Sequence, residues 1–193
     1  MVGHLDRDAT VRVTSVGVLR VASAPDTWCS LASVLSLDEL VILGDAVVRR
    51  KHPLATMAEL GRAVAGHAGR RGCQRLREAF VEVRPGTDSP RETRTRLVLV
   101  RAGLPEPRIN WPITNRHGAF LALGDLAYPD FRVLIEYDGG THFGDDAQAY
   151  HDIDRLDAVM AEGWRVIRLN KTHGAAAIVS RVLRALVDAG WTP

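Results

Sequence analysis

The chain has 193 residues, of which 46% are hydrophobic and 25% charged, enough to bury a core in one domain or in a small one followed by a medium one. No apolar run approaches the roughly 18 residues needed to cross a bilayer, and the opening MVGHLDRDATVRV lacks the apolar stretch of a secretory signal, so a cytoplasmic protein without membrane segments is expected. Cys29 and Cys73 are too few for a disulfide framework, lack metal-ligand spacing, and read as reduced structural residues.

The net charge of +2 says little, but its distribution says more. Thirteen Lys/Arg stand against five Asp/Glu from Arg49 to Arg101, whereas nine acids stand against two arginines from Asp125 to Asp157. A basic stretch beside an acidic knot suits a metal site serving a polyanion, because cations must neutralise the acids and arginines must hold the phosphates. Two solvated helix faces would give the same counts.

Residues 1–84 read as a mainly helical region. Ser36 to Glu39 has capping-box spacing ahead of LVILGDAVV, Thr56 to Glu59 repeats it ahead of LGRAVAGHA, and RGCQRLREAF adds another helical stretch. The turn formers of VRPGTDSP then mark a boundary, and residues 85–193 form the second domain. Ser89-Pro90-Arg91-Glu92 is a further capping box, with proline at the first helical position, and opens a helix ending near Gly103. INWPIT and GAFLALGDLAY flank the turn signal Asn115-Arg116-His117-Gly118, and DFRVLIEYD is a third strand with a β-branched centre.

A helix over DDAQAYHDIDRLDAVMAEG puts Ala149, Ile153, Leu156 and Met160 on one stripe and stops at Gly163. The strand WRVIRL, with Trp164 in the core, and a helix from about Ala175 to Ala189 complete the chain. The order α-β-β-β-α-β-α predicts an α/β fold (α+β, mixed sheet), because the fourth strand follows a helical crossover.

In the third strand, alternation places Glu136 and Asp138 on one face with Arg132 and Leu134, and Phe131, Val133, Ile135 and Tyr137 on the other. If YPDF closes a hairpin, Asp125 reaches the carboxylate face from opposite Leu134 or opposite Glu136. Asp125, Glu136 and Asp138 could then converge on one ion. Hard oxygen ligands suit Mg²⁺ or Mn²⁺, which would serve phosphodiester hydrolysis. Zinc is disfavoured, since the cluster has no cysteine and only His142 near it in sequence.

SPRETRTRLVLVRAGLPEP, GDLAYPDFRVLIEYDGGTH and DIDRLDAVMAEGWRVIRL together resemble the actinobacterial branch of the family numbered 559 among domains of unknown function. That family belongs to the restriction-endonuclease-like PD-(D/E)xK superfamily, near the very-short-patch mismatch-repair endonucleases. The resemblance covers about residues 85–173 and implies an αβββαβ nuclease core. It implies that Glu92 is the acid of the first helix, Asp125 the metal-binding aspartate, Glu136 the second acid and Asp138 the occupant of the superfamily lysine's place. His142 matches the histidine of the mismatch-repair relatives, and Asp152 and Arg155 match a DxxR motif. The sequence departs from the pattern in having no lysine near the site, Lys51 and Lys171 being its only two. Residues 1–84 more loosely resemble the middle segment of abortive-infection-type antitoxin proteins, in which a winged helix usually comes first.

The resulting expectation is a Mg²⁺- or Mn²⁺-dependent DNA endonuclease, acting in DNA repair, phage defence or a toxin–antitoxin context. Asp125, Glu136 and Asp138 hold the metal, His142 activates water, Glu92 assists, and Arg91, Arg94, Arg96 and Arg155 hold the DNA backbone. A homodimer and a toxin–antitoxin or defence partner are compatible with it. Plainer readings stand beside these: Glu92 as a helix cap, Asp152 and Arg155 as an i,i+3 ion pair, His142 as a solvent-facing loop residue, the arginines as ordinary helix surface. The alternatives are a non-catalytic DNA-binding or antitoxin-like regulator on the same fold, and a protein-interaction module with no affinity for divalent metals.

Overall fold

The structure, a computed structural model, describes residues 12–138 and 146–193, without the side chains of Val16 and of residues 146–152. The chain divides into two compact units, Met1–Pro90 and Arg91–Pro193. The division falls a few residues after the expected boundary, inside the first turn of a helix.

The first unit begins with an antiparallel hairpin, β1 (Val13–Val16) and β2 (Leu19–Ala22), which the sequence reading did not anticipate. Val13, Leu19 and Val21 are exposed at 51%, 64% and 38%, so the hairpin lacks the alternation of buried and exposed residues that would mark its strands. Helices α1 (Ala24–Ser30), α2 (Leu37–Val47), α3 (Met57–Gly66) and α4 (Cys73–Glu82) follow. The capping boxes expected at Ser36 and Thr56 form: the Glu39 carboxylate accepts from the Ser36 N–H and that of Glu59 from the Thr56 N–H, each at 2.8 Å. Each box satisfies N–H groups that the first turn of a helix leaves without partners.

The helices close on Trp28, Leu40, Leu60 and Leu76, all fully buried. The Trp28 Nε1–H donates to the Leu40 carbonyl at 2.8 Å, so the indole is buried with its polar atom satisfied. Gly72, with φ of +83°, precedes α4, and a Cβ there would lie 2.5 Å from the Ala32 carbonyl oxygen.

In the second unit, α5 (Pro90–Arg101) leads to β3 (Arg108–Thr114), β4 (Phe120–Tyr128), β5 (Val133–Tyr137), α6 (Asp146–Ala161), β6 (Arg165–Leu169) and α7 (Ala175–Asp188). The protein is thus mixed α/β, with seven α-helices among the described residues and a four-stranded mixed sheet ordered β3-β4-β5-β6. β3/β4 and β4/β5 are antiparallel, and β5/β6 is parallel across α6. Between β3 and β4 the Asn115 side chain accepts from the His117 and Ala119 N–H groups, which fixes the turn that NRHG signals. β3 is an edge strand and carries Pro112, a placement where proline removes no needed ladder bond.

Two apolar layers flank the sheet. On one face Leu126, Tyr128, Val133, Ile135, Ile167 and Leu169 pack with residues of α5 and α7, while on the other Ala127, Leu134, Ile113 and Ala122 pack with Val159 of α6. Trp164 packs partly buried against the second layer. The stripe expected on α6 is corrected here: Leu156 and Val159 are buried, whereas Ile153 and Met160 are exposed at 53% and 47%. Ala149 lies among the side chains outside the described set. Arg132 also differs, standing before β5 in a left-handed conformation (φ 49°) with its guanidinium donating to the Glu162 carbonyl.

Gly72→Ala is expected to destabilise the first unit by about 1–3 kcal/mol, since the added methyl meets backbone that cannot swing aside. Urea unfolding followed at Trp28 measures this; an unchanged midpoint would contradict the close approach to Ala32.

Candidate functional site

The carboxylates meet where β4 and β5 part. The last ladder pair is Leu126 with Ile135, and one further step in the same register sets Asp125 opposite Glu136, so of the two registers left open the second is adopted. The Tyr137 N–H donates to Asp125 Oδ2 at 2.8 Å, and a side chain thereby takes over from the departing strand.

The backbone prepares this position. Asn110, with φ of 45°, and Asp125 are absent from the β3/β4 register, which shifts a second time between Ile113 and Thr114, and the alternation of faces slips by one residue at Asn110 and Asp125. Ala122 and Ala127 both face the α6 layer although five residues apart, and a Cβ on Gly124 would also point into that layer, 2.3 Å from Leu134 Cδ1. The missing side chain of Gly124 makes room for Leu134, two residues before Glu136.

Glu136 has a side chain only 14% exposed, and its Oε2 lies 3.5 Å from Arg155 Nη2 on α6. Its other oxygen, Oε1, is buried with no hydrogen-bond partner among the described residues. Burial, and then the neighbouring Asp125 charge, push the Glu136 carboxyl up to about 7, against the pull of Arg155. A carboxylate in this state lacks a cation or a proton. The donor set suits a divalent ion bound by oxygen, which would neutralise two facing acids and occupy the orphaned Oε1.

Asp138 is engaged elsewhere. Its Oδ2 lies 3.0 Å from Arg168 Nη2, with the side chains 48% and 61% exposed, while its N–H continues the parallel ladder to the Leu169 carbonyl. Among the described residues no group of three or more His, Cys, Asp or Glu side chains closes on a point where a metal could sit. Asp125 and Glu136 are therefore the candidate ligands that the structure brings together. His142 lies outside the described residues, as does the side chain of Asp152.

Glu92 is 5% exposed in the first turn of α5 and does not complete a three-ligand group with Asp125 and Glu136. The preceding Arg91 is exposed and stacks its guanidinium over the Tyr137 ring, 5.1 Å from the centroid. That contact brings the start of α5 to the C-terminal end of β5. Arg94 is exposed on the same helix. The phosphate contact expected of Arg96 is corrected: its side chain is 2% exposed and holds Glu106 at 2.8 Å, leaving it no surface to offer a backbone.

Arg168 escaped the sequence reading. Its signal was available in the fourth strand, where RVIRL alternates and Arg168 shares parity with Val166, but only the parallel register shows that it stands beside Glu136.

No family model and no solved structure matches the chain. Over 149 residues, 77% of the chain, it is 30% identical to the uncharacterized protein MT2308 of Mycobacterium tuberculosis (strain CDC 1551 / Oshkosh) and to the uncharacterized protein Rv2248 of Mycobacterium tuberculosis (strain ATCC 25618 / H37Rv). The chain spans about half the length of these curated relatives, 54% in each case.

The raised Glu136 pKa fixes the sign of a pH effect. Without divalent metal, the neutral carboxyl favours the fold below about 4.5, and this contribution is lost as pH rises through about 7. Glu136→Gln should therefore gain stability relative to the wild type between pH 5 and pH 8, measured by urea unfolding in EDTA. A difference independent of pH would show that Glu136 titrates normally.

Proposed function

We propose that the second unit is a divalent-metal-dependent nuclease domain that hydrolyses DNA phosphodiester bonds on a restriction-endonuclease-like core of the PD-(D/E)xK type. The observation that carries this reading is the buried Glu136 oxygen without a hydrogen-bond partner beside the facing Asp125. The order of helix, three antiparallel strands, crossover helix and parallel strand supports it, as does the likeness of the D…ExDGxxH and DxxR…GW motifs to the family numbered 559 among domains of unknown function.

Asp125 and Glu136 would hold Mg²⁺ or Mn²⁺, which supplies charge for a phosphoryl oxygen and a water of lowered pKa. Arg155 fixes the Glu136 carboxylate by its second oxygen, so that Oε1 keeps its direction. The exposed Arg91 and Arg94 offer guanidinium groups to the phosphate backbone. His142 is the residue assigned to the attacking water.

A second reading has its own observation. At Asp138, where the superfamily carries lysine, the charge is acidic and is engaged by Arg168, which favours a DNA-binding regulator on the same fold that does not cut. On either reading the DNA is met in the cytoplasm. A link to repair, phage defence or a toxin–antitoxin pair, and assembly as a homodimer, belong to the same proposal.

Supercoiled and linear DNA incubated with Mg²⁺, Mn²⁺ or EDTA should be nicked or cut by the wild type only when metal is present. Asp125→Ala should lose more than the roughly 10–100-fold that removal of a ligand's outer partner costs. A gel shift without cutting under either metal would sink the catalytic reading and leave the regulator.

A further inference from the structure

Of the thirteen Lys/Arg between Arg49 and Arg101, nine belong to the first unit, and hydrolysis at Asp125 and Glu136 uses none of them. Three of the nine, Arg71, Arg75 and Arg77, gather around the first half of α4, and all three are exposed. Arg71 stands in the turn between α3 and α4, where His67 Nε2 lies 3.4 Å from its carbonyl oxygen and the left-handed Gly72 packs on the Ala32 backbone. Arg75 donates through Nη1 to the Leu35 carbonyl at 2.8 Å and to that of Ala32 at 3.4 Å. None of the three guanidiniums has a carboxylate partner among the described residues. Arg71 and Arg75, with Ser33, Gly72, Gln74 and Glu78, line a hollow of about 380 Å³. Glu78 is the only acid in that lining, and Gln74 Nε2 donates to it at 3.1 Å.

We propose that this hollow and its arginines seat the phosphate backbone of DNA, which makes the first unit a docking surface for the nucleic acid that takes no part in hydrolysis. The inference rests on the reading of DNA as the partner. Two backbone carbonyls hold the Arg75 fork in place, so less side-chain freedom is lost when a ligand is bound. Its remaining N–H groups suit phosphate oxygens, for which the planar guanidinium is matched in shape. Arg71, Ser33 and Gln74 add donors around the same hollow. Arg77 lies outside it and extends the positive charge along the exposed side of α4. Ala32 is the only apolar side chain in the lining, so the hollow has no wall for an apolar partner to cover. A DNA backbone brings a row of phosphates whose binding releases counterions, and each arginine contributes to it even while solvated.

The test titrates a short fluorescent DNA duplex, with Ca²⁺ in place of Mg²⁺ and at several salt concentrations, against the full chain in four forms. These are the wild type, Arg71→Ala with Arg77→Ala, Arg71→Lys with Arg77→Lys, and Glu78→Gln; Arg75 is kept because its carbonyl bonds tie α4 to the turn at Leu31–Ser33 and to Leu35. The double alanine variant should bind roughly tenfold more weakly at low salt, with a salt slope smaller by about 2, one for each lost phosphate contact. The double lysine variant should recover most of that loss, and Glu78→Gln should bind several-fold more tightly. All four should melt at the same temperature, whereas a merely structural role would lower the melting temperature of the alanine variant and give Glu78→Gln no gain. Unchanged affinity and slope in the double alanine variant overturn the inference while the reading of DNA as partner stands. Displacement of the duplex by poly-glutamate at equal charge concentration overturns it in favour of an acidic protein segment. A wild type that binds no duplex overturns both.

Discussion

Where β4 and β5 diverge, a backbone N–H must be received by something other than a strand, and the Asp125 carboxylate receives that of Tyr137. An orphaned amide at this depth would cost about as much as a lost hydrogen bond. The site's geometry follows from that bond. It fixes one oxygen of Asp125 and accompanies the placement of that acid opposite Glu136 in continuation of the ladder. Two like charges are thereby brought close by the same interaction that completes the strand. The slip in alternation at Asn110 and Asp125 is the local backbone adjustment that permits it.

The platform beneath is apolar on both faces, and this is why Glu136 is strained electrostatically and not merely crowded. Leu134 and Ile135, its immediate predecessors, are buried in opposite layers, so the carboxylate emerges directly from the core with little water around it. Arg155 offsets part of the cost from α6. The remaining imbalance favours the neutral, protonated carboxyl over the charged one, through the difference between what the fold imposes and what a solvated carboxylate prefers.

Much of this arrangement was legible in the sequence for specific reasons. The capping boxes at Ser36 and Thr56 are local, closing within three residues, and both form as written. The parallel last strand followed from the length of the crossover that precedes it. What could not be read depended on partners far away in sequence. The register at Asp125 needed the conformation of Asn110, the commitment of Arg96 needed Glu106, and the place of Arg168 needed β5 beside it. The α6 stripe failed because several residues of that helix have helical spacing, and spacing alone does not say which stripe turns inward. The β1/β2 hairpin was missed because its apolar residues face outward.

Pro112 in β3 has a consequence for how the molecule meets its own copies. The outer row of β3 contains a position with no hydrogen to donate, and an approaching strand would find its ladder interrupted near the middle. Continuation of the sheet across that border from one molecule to the next is therefore discouraged. Self-association through β3 would have to rely on side chains, with geometry set by shape instead of by backbone pairing, which protects the unit against edge-to-edge aggregation while it folds.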